Sequence, residues 1–199
     1  MRTAAALGLC VILTACDLGG SVPSPTPVAG ATSTPTQRAS SPRITPPPVS
    51  PAVPPGTNLA AFKCTDASGG NAGIASLTGV RIAEQTGYDR FVLQFDGRVP
   101  TYTVKRQAKP VFKTGGSGRP VTLSGAAGAL VQIHSASASA TYSGPKDITH
   151  PEFPVLIEAR VVEDFEGYLS WGLGLTKPAC FRAFTLSDPA RLVIDFKTA

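Results

Sequence analysis

The chain has little of what enzymes most often use. Its 199 residues hold 2 His, 4 Cys, 1 Met and 1 Trp, and charged residues make up 16%. His134 and His150 stand without a second histidine at ligand spacing, and no cysteine lies two to four residues from Cys64 or Cys180, so no metal cluster is expected. No G-x-S-x-G elbow is present, and Gly115-Gly116-Ser117-Gly118 lacks the Lys and Ser/Thr of a phosphate loop. Nothing calls for a cofactor. No apolar run approaches the ~20 residues that cross a bilayer as a helix. Aromatics are absent from the first 57 residues: all 9 Phe, 4 Tyr and 1 Trp come later. Together these gaps exclude a multidomain enzyme and a polytopic helical membrane protein.

What is there begins with an export leader. Arg2 precedes the apolar stretch Ala4–Leu13, and Leu13-Thr14-Ala15-Cys16 resembles a bacterial lipobox. On that reading residues 1–15 are a signal peptide and Cys16 is lipidated, anchoring the protein to the outer face of the cytoplasmic membrane or to another envelope membrane. An ordinary signal peptide is the alternative. Residues 17–57 carry 11 of the 19 prolines and many Ser and Thr. Such a composition cannot bury enough apolar surface to fold, and it makes 16–57 an extended tether. The folded part is 58–199.

In an oxidising compartment Cys64 and Cys180 are expected to form a disulfide tying the ends of that domain; free thiols or half a metal site are the alternatives. The formal net charge of +5 falls to +3 on 58–199, too mild for a nucleic-acid binder. Within it, Lys105, Arg106, Lys109, Lys113 and Arg119 follow one another without an intervening acid. This basic run is solvated surface or a contact for anionic wall polymer or lipid headgroups.

Period-two alternation recurs throughout the domain. Phe91, Leu93 and Phe95 share one face. Val155, Ile157, Ala159 and Val161 oppose Leu156, Glu158, Arg160 and Val162. Leu169, Trp171, Leu173 and Leu175 oppose Tyr168, Ser170, Gly172 and Gly174, the last four forming a strip with little side-chain bulk. No helical stripe competes, so the pattern predicts an all-β antiparallel sandwich or barrel. A faint echo links Arg81–Tyr88 with Arg160–Tyr168, and Arg90–Phe95 with Arg191–Phe196, which suits two pseudo-symmetric halves.

The segments Tyr88–Gly97, Thr141–Pro145, Asp164–Gly167, Trp171–Leu175, Phe181–Leu186 and Pro189–Phe196 resemble the AMIN-like domains of bacterial cell-envelope lipoproteins, over roughly 75–197. The resemblance implies a β-sandwich and suggests the role of AMIN domains, modules that localise cell-wall amidases and secretin subunits, in several cases by binding peptidoglycan. It brings no settled binding residues.

The expected function is therefore a non-catalytic binding module for peptidoglycan or another wall component. A protein-interaction module of an envelope complex is the first alternative. A glycan hydrolase using Glu163, Asp164 and Glu166 is the second, although Asp164–Gly167 reads as an exposed hairpin turn. The candidate ligand-binding residues are the basic run, Lys105, Arg106, Lys109, Lys113 and Arg119, together with Tyr168 on the small-residue strip. Trp171, alternating with leucines, is assigned to the core.

Overall fold

A computed structural model describes residues 59–138 and 141–199. The signal peptide, the lipidated Cys16 and the tether expected from the sequence lie outside the described residues.

Among the described residues thirteen strands follow one another: β1 (Ala67–Gly69), β2 (Ala75–Gln85), β3 (Tyr88–Phe95), β4 (Tyr102–Gln107), β5 (Val111–Lys113), β6 (Pro120–Thr122), β7 (Ala127–His134), β8 (Ala136–Ser137), β9 (Asp147–Thr149), β10 (Leu156–Phe165), β11 (Tyr168–Leu175), β12 (Phe181–Leu186) and β13 (Arg191–Lys197). A six-stranded sheet runs β1-β4-β7-β11-β10-β9 and a five-stranded sheet runs β12-β13-β3-β2-β8. All neighbours are antiparallel except the short β2–β8 pair. This is the expected sandwich. Its core joins Leu77, Phe91, Leu93 and Phe95 of one sheet to Val131, Ile133, Trp171 and Leu173 of the other, and Trp171 is fully buried.

The first part of the echo, Arg81–Tyr88 with Arg160–Tyr168, has a structural counterpart, whereas the second, Arg90–Phe95 with Arg191–Phe196, falls on β3 and β13, neighbours in one sheet. Each copy is a tight hairpin inside its own sheet: β2–β3 turns through Thr86-Gly87, and β10–β11 through Glu166-Gly167. Glu166 and Gly167 both have positive φ, 49° and 79°, the backbone a two-residue hairpin turn requires. Each long first strand also carries a register shift, at Leu77/Gly79 in β2 and at Leu156/Glu158 in β10.

Strict alternation along β10 is where expectation and structure part. A bulge passes over Ile157 and a second passes over Val162. The inward set becomes Val155, Leu156, Ala159 and Val161: Leu156 takes the place expected for Ile157, Val162 stays on the outer face as alternation predicts, and beyond the second bulge Glu163 faces out and Asp164 in. A bulge inserts one residue against none, and so flips the parity of everything beyond it.

Two polar devices hold the sandwich. Asp89, fully buried, accepts the backbone N–H groups of Val155 and Leu156 at 2.7 and 2.8 Å, tying β3 of one sheet to the start of β10 in the other. On the outer face of the five-stranded sheet, β3 and β13 align so that Arg90 faces Asp195. Asp195 takes two bonds from Arg90, at 2.7 and 3.0 Å, and a third from Arg182 at 2.8 Å. Burial by itself would lower the pKa of Arg90, but the hydrogen bond and charge of Asp195 outweigh it and raise it above the usual value. The two guanidiniums alternate with rings: Arg182 lies 4.5 Å from Phe62 and 5.0 Å from Tyr88, and Arg90 lies 5.1 Å from Tyr88 and 5.8 Å from Phe184.

The expected disulfide joins Cys64 to Cys180. Beside it Lys63 and Phe181 exchange both backbone hydrogen bonds, at 2.8 and 2.9 Å, so the segment leading into the domain is fastened to β12 before β1 begins.

Candidate functional site

The outer face of the six-stranded sheet is best read as successive rungs across β4, β7, β11 and β10. Gln107, Gly128, Gly174 and Glu158 form one, and Lys105, Leu130, Gly172 and Arg160 the next. Thr103, Gln132, Ser170 and Glu163 follow, and His134, Tyr168 and Phe165 make the last. Chemistry changes from rung to rung, from glycine-rich through polar to aromatic.

The first two rungs are covered at their centre, over Gly128, Leu130, Gly172 and Gly174. β5 and β6 form a separate hairpin that folds back over them, and Phe112, Leu123 and Val162 make a second small core with Val121 and Leu130 packed against it. The strip expected to be open at Ser170, Gly172 and Gly174 is therefore filled by the chain itself. The glycines are its floor. A Cβ on Gly172 would meet the Phe112 ring at 2.7 Å, one on Gly128 would meet the same ring at 2.9 Å, and one on Gly174 would meet the Ser124 carbonyl oxygen at 2.2 Å. Glu158 fixes the far side, accepting the Ser124 N–H at 2.7 Å and pairing with Arg160 at 2.8 Å; Arg160 also reaches Asp147 at 2.8 Å.

Beyond the hairpin the aromatic rung stays accessible, together with Gln132 and Glu163 of the polar rung. Phe165 and Tyr168 are paired directly across the β10–β11 turn and remain 58% and 46% exposed. His134 meets the Tyr168 ring at 5.1 Å in a T-shaped contact. Between this aromatic pair and the tip of the β5–β6 hairpin lies a groove of about 340 Å³, lined by Gly115, Gly116, Gln132, Glu163, Glu166 and the two aromatics. Glu163 anchors the hairpin tip by accepting the Gly116 N–H at 3.2 Å. At the rung's centre Ser170 is 2% exposed, and its hydroxyl has no hydrogen-bond partner among the described residues.

The sequence candidates separate. Tyr168 is a wall of the groove. Lys105 is exposed in the rung beside Leu130, Lys109 follows β4, and Lys113 and Arg119 flank the hairpin tip. None of these four cations forms an ion pair with another described residue. Arg106 leaves the group: its guanidinium donates to the Cys64 carbonyl at 2.7 Å and its backbone N–H to Asp66 at 2.9 Å, so it fastens the N-terminal segment. The three acids also divide. Glu163 and Glu166 line the groove, but Asp164 turns to the inner face, where it accepts from Ser137 and from the Ala138 N–H at 3.1 and 3.3 Å. His150 pairs with Glu152 at 2.9 Å and stacks on Phe153.

Sequence reading missed Gln132, Phe165 and the covering role of Phe112. The signals were weak: Phe165 stood within a turn motif, and a three-residue strand around Phe112 has no period to detect.

Fold and site together define a β-sandwich that carries a surface groove on one sheet. The chain belongs to the AMIN-like domain family, whose profile matches residues 75–198. That membership points to an envelope-related binding module. No curated protein is similar enough to the chain to count as a relative.

Proposed function

We propose that the protein is an exported lipoprotein, anchored through Cys16, whose sandwich binds peptidoglycan or another wall polymer without chemical turnover. The observation that carries this reading is the half-open outer face of the six-stranded sheet. An exposed aromatic pair and a polar rung form a groove there, and the unpaired cations Lys113 and Arg119 flank its hairpin wall. Aromatic faces with a few convergent polar groups suit a polyhydroxylated ligand. Free cations nearby add a long-range attraction for the anionic groups of wall polymers.

Binding without turnover fits the acids better than hydrolysis does. Of the three, Asp164 is committed to the inner face, and Glu163 already holds the hairpin tip. The test is co-sedimentation of the purified protein with insoluble peptidoglycan over a salt series, beside an unrelated exported domain of similar charge. Saturable binding well above that control is expected. Binding no better than the control rejects the reading, and a salt-insensitive stoichiometric complex with an envelope protein would replace it. Turnover of a wall fragment that is lost in Glu163→Gln or Glu166→Gln would instead make the protein a hydrolase.

A further inference from the structure

We propose that the Tyr168 groove takes a neutral sugar ring, so that wall polymer is gripped by its glycan strand and not by its charged substituents. This rests on the wall-binding reading above and narrows it to one ligand class at one place.

The residues lining the groove include two carboxylates, Glu163 and Glu166, and no lysine or arginine. An anionic group entering there meets like charge. The cations sit on the other elements: Lys105 lies one rung away, and Lys113 and Arg119 stand at the base of the hairpin tip without lining the groove. Attraction for anions and the shaped cavity are thus at different positions.

Gln132, the one amide side chain lining the groove, offers both a donor and an acceptor beside the two carboxylates. A bare ammonium would engage only acceptors and leave the amide donor unmatched. Sugar hydroxyls and acetamido groups are themselves donor and acceptor, and they match a mixed set.

Tyr168 and Phe165 present apolar ring surface directly across a hairpin, with His134 bracing Tyr168 edge-on. A pyranose has an apolar C–H face and a polar rim. It can lie on the aromatic rung with its rim toward the polar rung, one step of the pleat away, roughly 7 Å. The Gly115-Gly116 tip closes the far side at backbone distance, because a Cβ on Gly115 would collide with Glu163 at 2.2 Å.

The experiment titrates the purified full chain with the β-1,4-linked tetramer of N-acetylglucosamine, followed by calorimetry and by amide chemical shifts. Saturable binding is expected. It should weaken at least tenfold in Tyr168→Ala, survive in Tyr168→Phe, and barely change in about 1 M salt, where the Debye length is ~3 Å. Glu84→Gln, on an exposed part of β2 outside the groove, serves as the control that binds normally.

If the tetramer fails to bind while the protein still sediments with whole wall, this inference falls and the wall-binding reading stands. If the protein does neither, both fall. Tetramer binding that Tyr168→Ala leaves unchanged also overturns the assignment, as does preferential binding of an acetylated lysine amide carrying a free ammonium.

Discussion

Gly172→Ala is the sharpest test of how the outer sheet face is built. In a strand, adding a methyl group to an exposed glycine is ordinarily neutral or favourable, because glycine forfeits conformational entropy on folding. Here the new Cβ would stand 2.7 Å from Cδ2 and Cε2 of Phe112 and 3.0 Å from Cγ2 of Val162. Two of its three neighbours belong to a ring that is itself 3% exposed and wedged against Gly128, so the ring cannot retreat without lifting the hairpin. Overpacking of this kind costs about 1–3 kcal/mol. For a domain of this size that corresponds to roughly 2–4 °C in Tm per kcal/mol.

The partner change, Phe112→Ala, empties the slot. It should cost less than the ~3–5 kcal/mol of a phenylalanine lost from a main core, since the hairpin can undock as a unit and leave the sandwich standing. In the double variant the methyl group added at position 172 meets no ring. The combined loss should therefore fall short of the sum by about 1 kcal/mol or more, a coupling within the range for residues in contact. Urea unfolding of the four proteins, disulfide intact, supplies the cycle. Amide exchange across 111–122 should rise in both single variants. If Gly172→Ala is neutral, or if the two changes simply add, Phe112 does not occupy the glycine floor, and the account of a covered strip is wrong.

Three further outcomes follow from the polar and covalent devices. Asp195→Ala leaves Arg90 and Arg182 stacked and unpaired, and should cost about 3–5 kcal/mol, with Arg182→Ala costing clearly less because Arg90 keeps its two-point contact; equal losses by denaturant titration would refute the shared carboxylate. Reducing Cys64–Cys180 opens a loop of sequence separation 116 and should lower stability by about 4–5 kcal/mol in the chain-entropy view, read as a fall in the urea midpoint; an unchanged midpoint would show the bridge to be idle. Burial raises the pKa of Tyr102 and of Tyr142 in the folded state. Their contribution is complete below the unfolded tyrosine pKa of about 10 and is lost as pH climbs toward the raised values. Tm should therefore drop above that pH, and Tyr102→Phe should flatten the drop.

Much of this architecture was legible because it rests on short-range rules. Trp171 alternates with leucines, and a central sandwich strand buries that face. Asp164–Gly167 carries turn chemistry, and a hairpin turns there. Cys64 and Cys180, expected to pair, do so. What escaped was set by contacts distant in sequence. The small-residue face of β11 looks vacant when read alone; only the fold shows that glycines there make room for Phe112, some sixty residues earlier. The bulges in β10 leave no trace in a sequence of mixed Val, Ile and Glu, yet they bring Leu156 in where Ile157 was expected and put Glu163 out and Asp164 in. Arg106 looked like one cation among five. Its parity on β4, opposite that of Lys105, sends it toward Cys64 while Lys105 stays on the outer face. The groove itself joins residues from β7, β10, β11 and the hairpin tip, and no local pattern announces such a meeting.

The position of the disulfide has a mechanical consequence. Tension applied to the N-terminal segment arrives at Cys64, and from there two covalent routes lead to Tyr168. One passes through roughly 100 residues and most of the strands. The other crosses to Cys180 and runs back about a dozen residues along β11. At ~3.3–3.6 Å per extended residue, the first route could stretch to some 350 Å and the second only to about 40 Å. The bridge thus shortens the leash between the pulled end and the groove to its minor branch. However far the rest of the sandwich yields under load, a ligand held at Tyr168 stays within a few nanometres of the point where the chain is pulled.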